Sequence, residues 1–255
     1  MELEISVLSK AGGRAINEDA CGVWSHSNMC FCVLSDGAGG HGGGEVASRL
    51  VVSEVLAWFK QHPECNATCI RNALVTANRA VVKAQATNGR LANMRATVVV
   101  LAIDTENGKA IWGHLGDTRL YCFRKHEIVI QTLDHSVVQS MVDAGYIKST
   151  ELRKVPQRNR LLAAMGDRMR FEPHIEEKDF QLSDGDVFLL CTDGCWEHIE
   201  EADMSRTLQA SSTNEEWLKH IEGAILSVGK EGQDNYSALV ISCKDADDFT
   251  TIIGK

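Results

Sequence analysis

Apolar positions fall into two kinds of run along this chain. Short apolar segments bounded by turn residues predict strands at Leu3–Ser9, Met29–Leu34, Thr97–Ile103, Ala110–Leu115, Arg119–Phe123, Glu127–Thr132, Val187–Cys191 and Ser237–Ile241. Longer blocks with apolar residues three and four apart predict helices. Glu45–Gln61 sets Val46, Leu50, Val51, Val55, Leu56 and Phe59 on one broad face. Cys69–Ala86 repeats the spacing with Ile70, Leu74, Ala77, Val81 and Val82. His135–Ala144 is a shorter candidate. Ser212–Val228 opens on a Ser-Thr-Asn cluster suited to capping, followed by Glu215 and Glu216. The two long helices follow one another instead of alternating with strands, and the later strands are joined by short turns. That order predicts antiparallel sheets covered by helices, not a doubly wound parallel sheet.

The 255 residues contain no repeat, low-complexity tract or linker, so a single domain over residues 1–255 is expected. A net charge of -9 argues against a nucleic-acid partner, which needs clustered Lys and Arg. Met1-Glu2-Leu3-Glu4 is acidic and unlike a secretory leader, and the longest apolar run, near Ala96–Ile103, is too short to span a bilayer. A cytoplasmic location without membrane attachment is therefore expected. The nine Cys form no C-x-x-C pair, so they read as reduced, buried thiols and not as a zinc ribbon. Cys191 and Cys195 flank Asp193, which would let oxidation there disturb a site.

The candidate chemistry lies in four acidic turns set against strand-like runs: Asn17-Glu18-Asp19, Ser35-Asp36-Gly37, Thr192-Asp193-Gly194 and Asp234-Asn235. A carboxylate at the end of a buried strand is costly to desolvate without compensation. One such turn is ordinary; four predict a shared hard cation such as Mg²⁺ or Mn²⁺. The glycine-rich stretch Ser35–Glu45 lacks the Gly-Lys-Ser/Thr ending of a P-loop and does not match G-x-G-x-x-G in a strand-turn-helix frame. Alone it reads equally well as a turn before a helix. Arg14 offers a planar fork suited to two phosphate oxygens, although its hexamer Arg14–Asp19 alone reads as a solvated charged turn. Gly116-Asp117-Thr118-Arg119 alone is a hairpin turn.

Taken together, R-x-x-N-E-D, D-G-x-G-G-H, G-D-T-R, T-D-G-x-W and D-N-x-S occur in an order that closely resembles the metal-dependent PPM-type serine/threonine phosphatases, the protein phosphatase 2C family, and most of all its compact bacterial members. The resemblance runs from about Ser6 to Cys243. Residues 135–166, with Asp134-His135-Ser136 before and Pro156-Gln157-Arg158 within, resemble the family's flap. It implies an α+β fold, a four-layer αββα sandwich of two antiparallel sheets flanked by helices. It further implies two, with room for a third, Mn²⁺ or Mg²⁺ ions. Asp36 would bridge two of them, and the Gly37 carbonyl would ligate the first. Asp193 and Asp234 would ligate the second, Glu18 would act through water, and Asp19 would support that shell. Asp117 would hold the third ion with Asp193, and Arg14 would bind the substrate phosphate. Hydrolysis of phosphoserine or phosphothreonine by a metal-bridging hydroxide is the implied reaction. Expected partners are phosphoprotein substrates and a cognate Ser/Thr kinase, with the phosphatase a monomer and type VI secretion control its narrower setting. The alternative is an inactive phosphoprotein-binding module of the same fold. Ala38 stands where many eukaryotic relatives place a His proposed as general acid, which leaves that acid unassigned; His41 is expected to shape the glycine loop instead.

Overall fold

The computed structural model describes residues 1–39, 43–87, 89–227 and 233–245. His41 lies outside these residues, as does Val228 at the expected end of the last helix. The strands are β1 (Glu2–Lys10), β2 (Ala20–His26), β3 (Met29–Ser35), β4 (Gly37–Ala38), β5 (Arg95–Ala96), β6 (Val98–Asp104), β7 (Lys109–Leu115), β8 (Arg119–Arg124), β9 (Glu127–Gln131), β10 (His174–Ile175), β11 (Phe180–Gln181), β12 (Val187–Cys191) and β13 (Tyr236–Lys244). The α-helices are α1 (Gly43–Gln61), α2 (Ala67–Thr87), α3 (Val137–Asp143), α4 (Asp193–Trp196), α5 (Glu201–Gln209) and α6 (Asn214–Ser227). One sheet has the order β1-β13-β12-β8-β9; the other has β10-β7-β6-β3-β2, with β11 also paired to β7. Every pairing is antiparallel.

The apolar strands run without polar interruption because both of their faces are covered. On β3, Phe31 and Val33 face α1 and α2, whereas Cys30, Cys32 and Leu34 face the second sheet. On β6, Val98, Val100 and Ala102 take the helix side and Val99, Leu101 and Ile103 the sheet side. The same alternation divides β12 and β13: Leu189, Ala238 and Val240 pack with Trp196, Met204, Trp217 and Ile221, while Phe188, Leu190, Leu239 and Ile241 fill the gap between sheets. A period of two thus separates three apolar layers, the mark of a four-layer αββα sandwich. The cysteines are free thiols, eight of them buried, in keeping with their expected role as small apolar residues.

This topology gathers the chemistry. β3 and β12 end, and β2 and β13 begin, at one end of the two sheets, where the β7–β8 turn also lies. All four acidic turns and Asp117 therefore sit at that end. No helix among the described residues is long and apolar enough to cross a membrane.

Candidate active site

Asp36 follows β3 directly, and its peptide is pinned to the start of β6: Thr97 N–H donates to the Asp36 carbonyl at 2.8 Å, and Asp36 N–H donates to Thr97 Oγ1 at 3.1 Å. Gly37 tolerates no side chain, since a Cβ there would lie 2.1 Å from the Gly44 carbonyl oxygen and 2.7 Å from that of Glu18. This close approach brings the Asp36 loop, the start of α1 and the Glu18 turn into one wall. Gly194 acts likewise on the opposite wall, where a Cβ would meet the Asn235 carbonyl oxygen at 2.0 Å. Only glycine lets the Asp193 turn close on the Asp234–Asn235 turn.

Asn235 holds the third side. Its Oδ1 accepts from Glu18 N–H at 2.8 Å, and its Nδ2 donates to the carbonyls of Ala11 and Ile16, each at 2.9 Å. The Asp117 turn is anchored by Trp196, whose Nε1 donates to the Asp117 carbonyl at 2.9 Å. Arg119 stacks on that indole at 3.5 Å and is bound to Asp134 through two 2.8 Å hydrogen bonds, all buried. From the flap, Arg158 makes a two-pronged ion pair with Glu197, beside the Asp193 helix.

Arg14, Glu18, Asp36, Gly37, Asp117, Asp193 and Asp234 all line one open cleft of about 500 Å³, together with Ala38, Thr97 and, from the flap, Asn159 and Leu161. Asp19 lies behind it: Thr192 Oγ1 donates to its Oδ2 at 3.0 Å, and its Oδ1 is buried with no hydrogen-bond partner. Arg14 Nη2 pairs with Asp234 Oδ2 at 3.1 Å at the exposed mouth. Residue types alone did not single out Asn235, Thr192 or Trp196 as site-builders, although all three stand inside the motifs of the sequence.

The electrostatics are those of an uncompensated acidic cluster. Burial, then Asp193 and Asp19, push the Asp36 carboxyl well above the usual carboxylate range. Burial, then Asp117 and Glu197, do the same to Asp193. Burial raises Asp117 from 3.8 to about 7 and Asp19 to about 6. Among the described residues, no three His, Cys, Asp or Glu side chains converge as a ready-made metal cage. Repelling carboxylates spread around an open cleft instead. Their oxygen-only chemistry and the orphaned Asp19 oxygen fit hard divalent cations, which keep several waters as ligands.

A family model described as Protein phosphatase 2C matches residues 9–232. Serine/threonine protein phosphatase PstP of Mycobacterium tuberculosis is 29% identical over 235 residues, covering 92% of this chain. The chain spans only 43% of the length of that relative. Serine/threonine phosphatase stp of Listeria monocytogenes is 29% identical over 231 residues, covering 88% of this chain and 89% of its own length. The crystal structure of the PstP catalytic domain in complex with two manganese ions matches with a TM-score of 0.79 at 28% identity, over 95% of this chain and 99% of that one. PppA, a key regulatory component of T6SS in Pseudomonas aeruginosa, matches with a TM-score of 0.76 at 25% identity, over 95% and 98% of the two chains. The chain therefore belongs to the protein phosphatase 2C family.

Proposed function

We propose that this protein hydrolyses phosphoserine and phosphothreonine in phosphoproteins with the help of two Mn²⁺ or Mg²⁺ ions, and a third more weakly held. The observation that carries the reading is the meeting of Arg14, Glu18, Asp36, Asp117, Asp193 and Asp234 in one cleft. Asp36, the Gly37 carbonyl, Asp193 and Asp234 would hold the first two ions, with Glu18 acting through water and Asp19 in support. Asp117 and Asp193 would hold the third. Such ions, when bound, activate water at neutral pH and offset charge on phosphoryl oxygens.

The chain's own groups have distinct tasks. Arg14 is exposed and, among the described residues, pairs with the half-exposed Asp234, so its guanidinium can turn onto two phosphate oxygens. Gly37 and Gly194 let the turns that build each wall pack tightly, which keeps their carboxylates in place. Buried Trp196, Arg119 and Asp134 hold the Asp117 turn rigid, so little reorganisation accompanies the reaction. A cytoplasmic phosphatase opposing a Ser/Thr kinase is the setting we favour. The likeness to PppA supports a role in type VI secretion control.

The test is phosphate release from a phosphothreonine peptide by purified protein in Mn²⁺, in Mg²⁺ and in EDTA. Turnover with either metal and none in EDTA is expected. A folded protein that binds the peptide but never turns it over would instead be a phosphoprotein-binding module.

A further inference from the structure

A segment that begins within the flap and runs a few residues past its end carries a charge opposite to that of the rest of the chain. From Lys148 to Arg170 there are seven Lys and Arg against two carboxylates, Glu151 and Asp167, within a chain of net charge -9. Two of the seven are used internally: Arg153 binds Glu200 and Glu201, and Arg158 binds Glu197. Arg160, Arg168 and Arg170 are exposed, and none of the three makes a side-chain ion pair or hydrogen bond among the described residues.

The fold sets Arg160 beside the acidic cleft and ties the segment that carries Arg168 and Arg170 to the strand behind its wall. Arg160 stands between Asn159 and Leu161, both of which line it. Its carbonyl accepts from Val137 N–H at 2.9 Å, which fixes this stretch of flap to the start of α3. Further along, Met165 bridges Ala96 through two backbone hydrogen bonds of 2.7 and 3.2 Å. β5 in turn pairs with β4, so Arg95 lies opposite Ala38 on the cleft wall. Arg168 and Arg170 follow three and five residues after that bridge, with Met169 between them 89% exposed. A backbone ladder thus ties the basic rim to the residue next to Asp36 and Gly37.

We infer that the rim formed by Arg95, Arg160, Arg168 and Arg170 selects phosphoprotein segments whose phosphorylated residue is flanked by carboxylates or by a second phosphate. This inference rests on the phosphatase reading and specifies its substrate class. A phosphate entering the acidic cleft meets like charge from every carboxylate there, and guanidinium groups beside it offset that repulsion for an acidic segment, although Arg95 also donates to the Met94 carbonyl at 2.8 Å. A substrate with basic flanks gains nothing from the rim. Attraction of this kind acts on encounter and ground-state binding, so it is read in KM and not in kcat. It also fades once salt shortens the screening length to a few ångströms.

Three phosphothreonine peptides sharing one core test this, with Glu, Ser or Lys at the flanking positions. Turnover by the wild type and by the combined variant Arg160→Gln, Arg168→Gln, Arg170→Gln is measured at low and high salt. The Glu-flanked peptide should show kcat/KM about tenfold above the Ser-flanked one, a gain lost in the variant and at high salt. Fluorescence-polarisation binding of the same peptides in EDTA reads the preference without turnover. Equal kcat/KM for Glu and Ser flanks with equal binding, or a preference that survives in the variant, would overturn the inference. The Ser-flanked peptide is the internal control: its turnover by both proteins upholds the phosphatase reading even if the flank preference fails.

Discussion

Replacing Asp117 by Asn should stabilise the metal-free protein at alkaline pH while impairing it as a catalyst. Asp117 is 5% exposed, and burial, with Asp134 and Glu197 adding repulsion against the attraction of Arg119, raises its carboxyl from 3.8 to about 7. The unfolded chain titrates near the ordinary value, so ionisation is less favourable in the folded state. Below about pH 4 the carboxyl is protonated in both states and costs nothing. As the pH climbs, the folded state resists losing the proton, and the penalty grows until it is complete above about pH 7. A rise from 3.8 to about 7 corresponds to about 4 kcal/mol, a ceiling that relaxation and water in the cleft reduce. Asn removes the charge but leaves a buried amide in the same place. A net gain of about 1–2 kcal/mol at pH 8, or about 2–8 °C in Tm for a chain of this size, is the expectation. Thermal unfolding in EDTA between pH 4.5 and pH 8 measures it, and the advantage of the variant should shrink steadily toward the acid end. A variant less stable than the wild type at pH 8 in EDTA, or an advantage independent of pH, would refute this reasoning.

Other substitutions probe the frame around the cleft. Gly194→Ala places a methyl group against the Asn235 carbonyl and should cost about 2 kcal/mol or more in urea unfolding, with activity down at least about tenfold as the Asp193 and Asp234 turns separate. Wild-type values on both counts would show that the turns are not in contact. Asn235→Ala deletes the hydrogen bonds to Glu18, Ala11 and Ile16 and should destabilise by about 2–4 kcal/mol; an unchanged denaturation midpoint would contradict the clamp. Arg14→Ala should leave stability within about 1 kcal/mol, because its partner Asp234 is itself exposed, yet weaken phosphopeptide turnover; unchanged kcat and KM would remove Arg14 from phosphate binding.

Strands β3, β6 and β12, and β13 over residues 238–241, were plain in the sequence because they carry apolar side chains to both faces in unbroken runs. The predicted helices Glu45–Gln61 and Cys69–Ala86 agree with α1 and α2 to within two residues at each end. His135–Ala144 becomes the shorter α3, whose start is set by Ser136 accepting from Gln139 N–H. β2 escaped notice because it is an edge strand with no fully buried residue, and its Gly22 leaves room for Leu56 and Val52 of α1 where a side chain would otherwise stand. α5 buries only Met204 and Leu208, a stripe too narrow to announce itself. At the site, carboxylates at strand ends betray themselves by their cost. Asn235, Thr192 and Trp196 are ordinary polar or aromatic residues until folding supplies their partners; Thr192 meets Asp19 across 173 residues of chain. Glu197 and Arg158 likewise acquire a meaning only once the flap is folded back onto α4.

The central claim is that these carboxylates form a divalent-metal phosphatase centre, and it is tested most directly by phosphate release against Mn²⁺ concentration for wild type and Asp193→Asn side by side. Turnover by the wild type that saturates with Mn²⁺ and stops in EDTA is the predicted result. In the variant, turnover should fall at least about 100-fold, with its circular dichroism spectrum preserved. Equal turnover by the two proteins, or turnover indifferent to EDTA, would contradict the account.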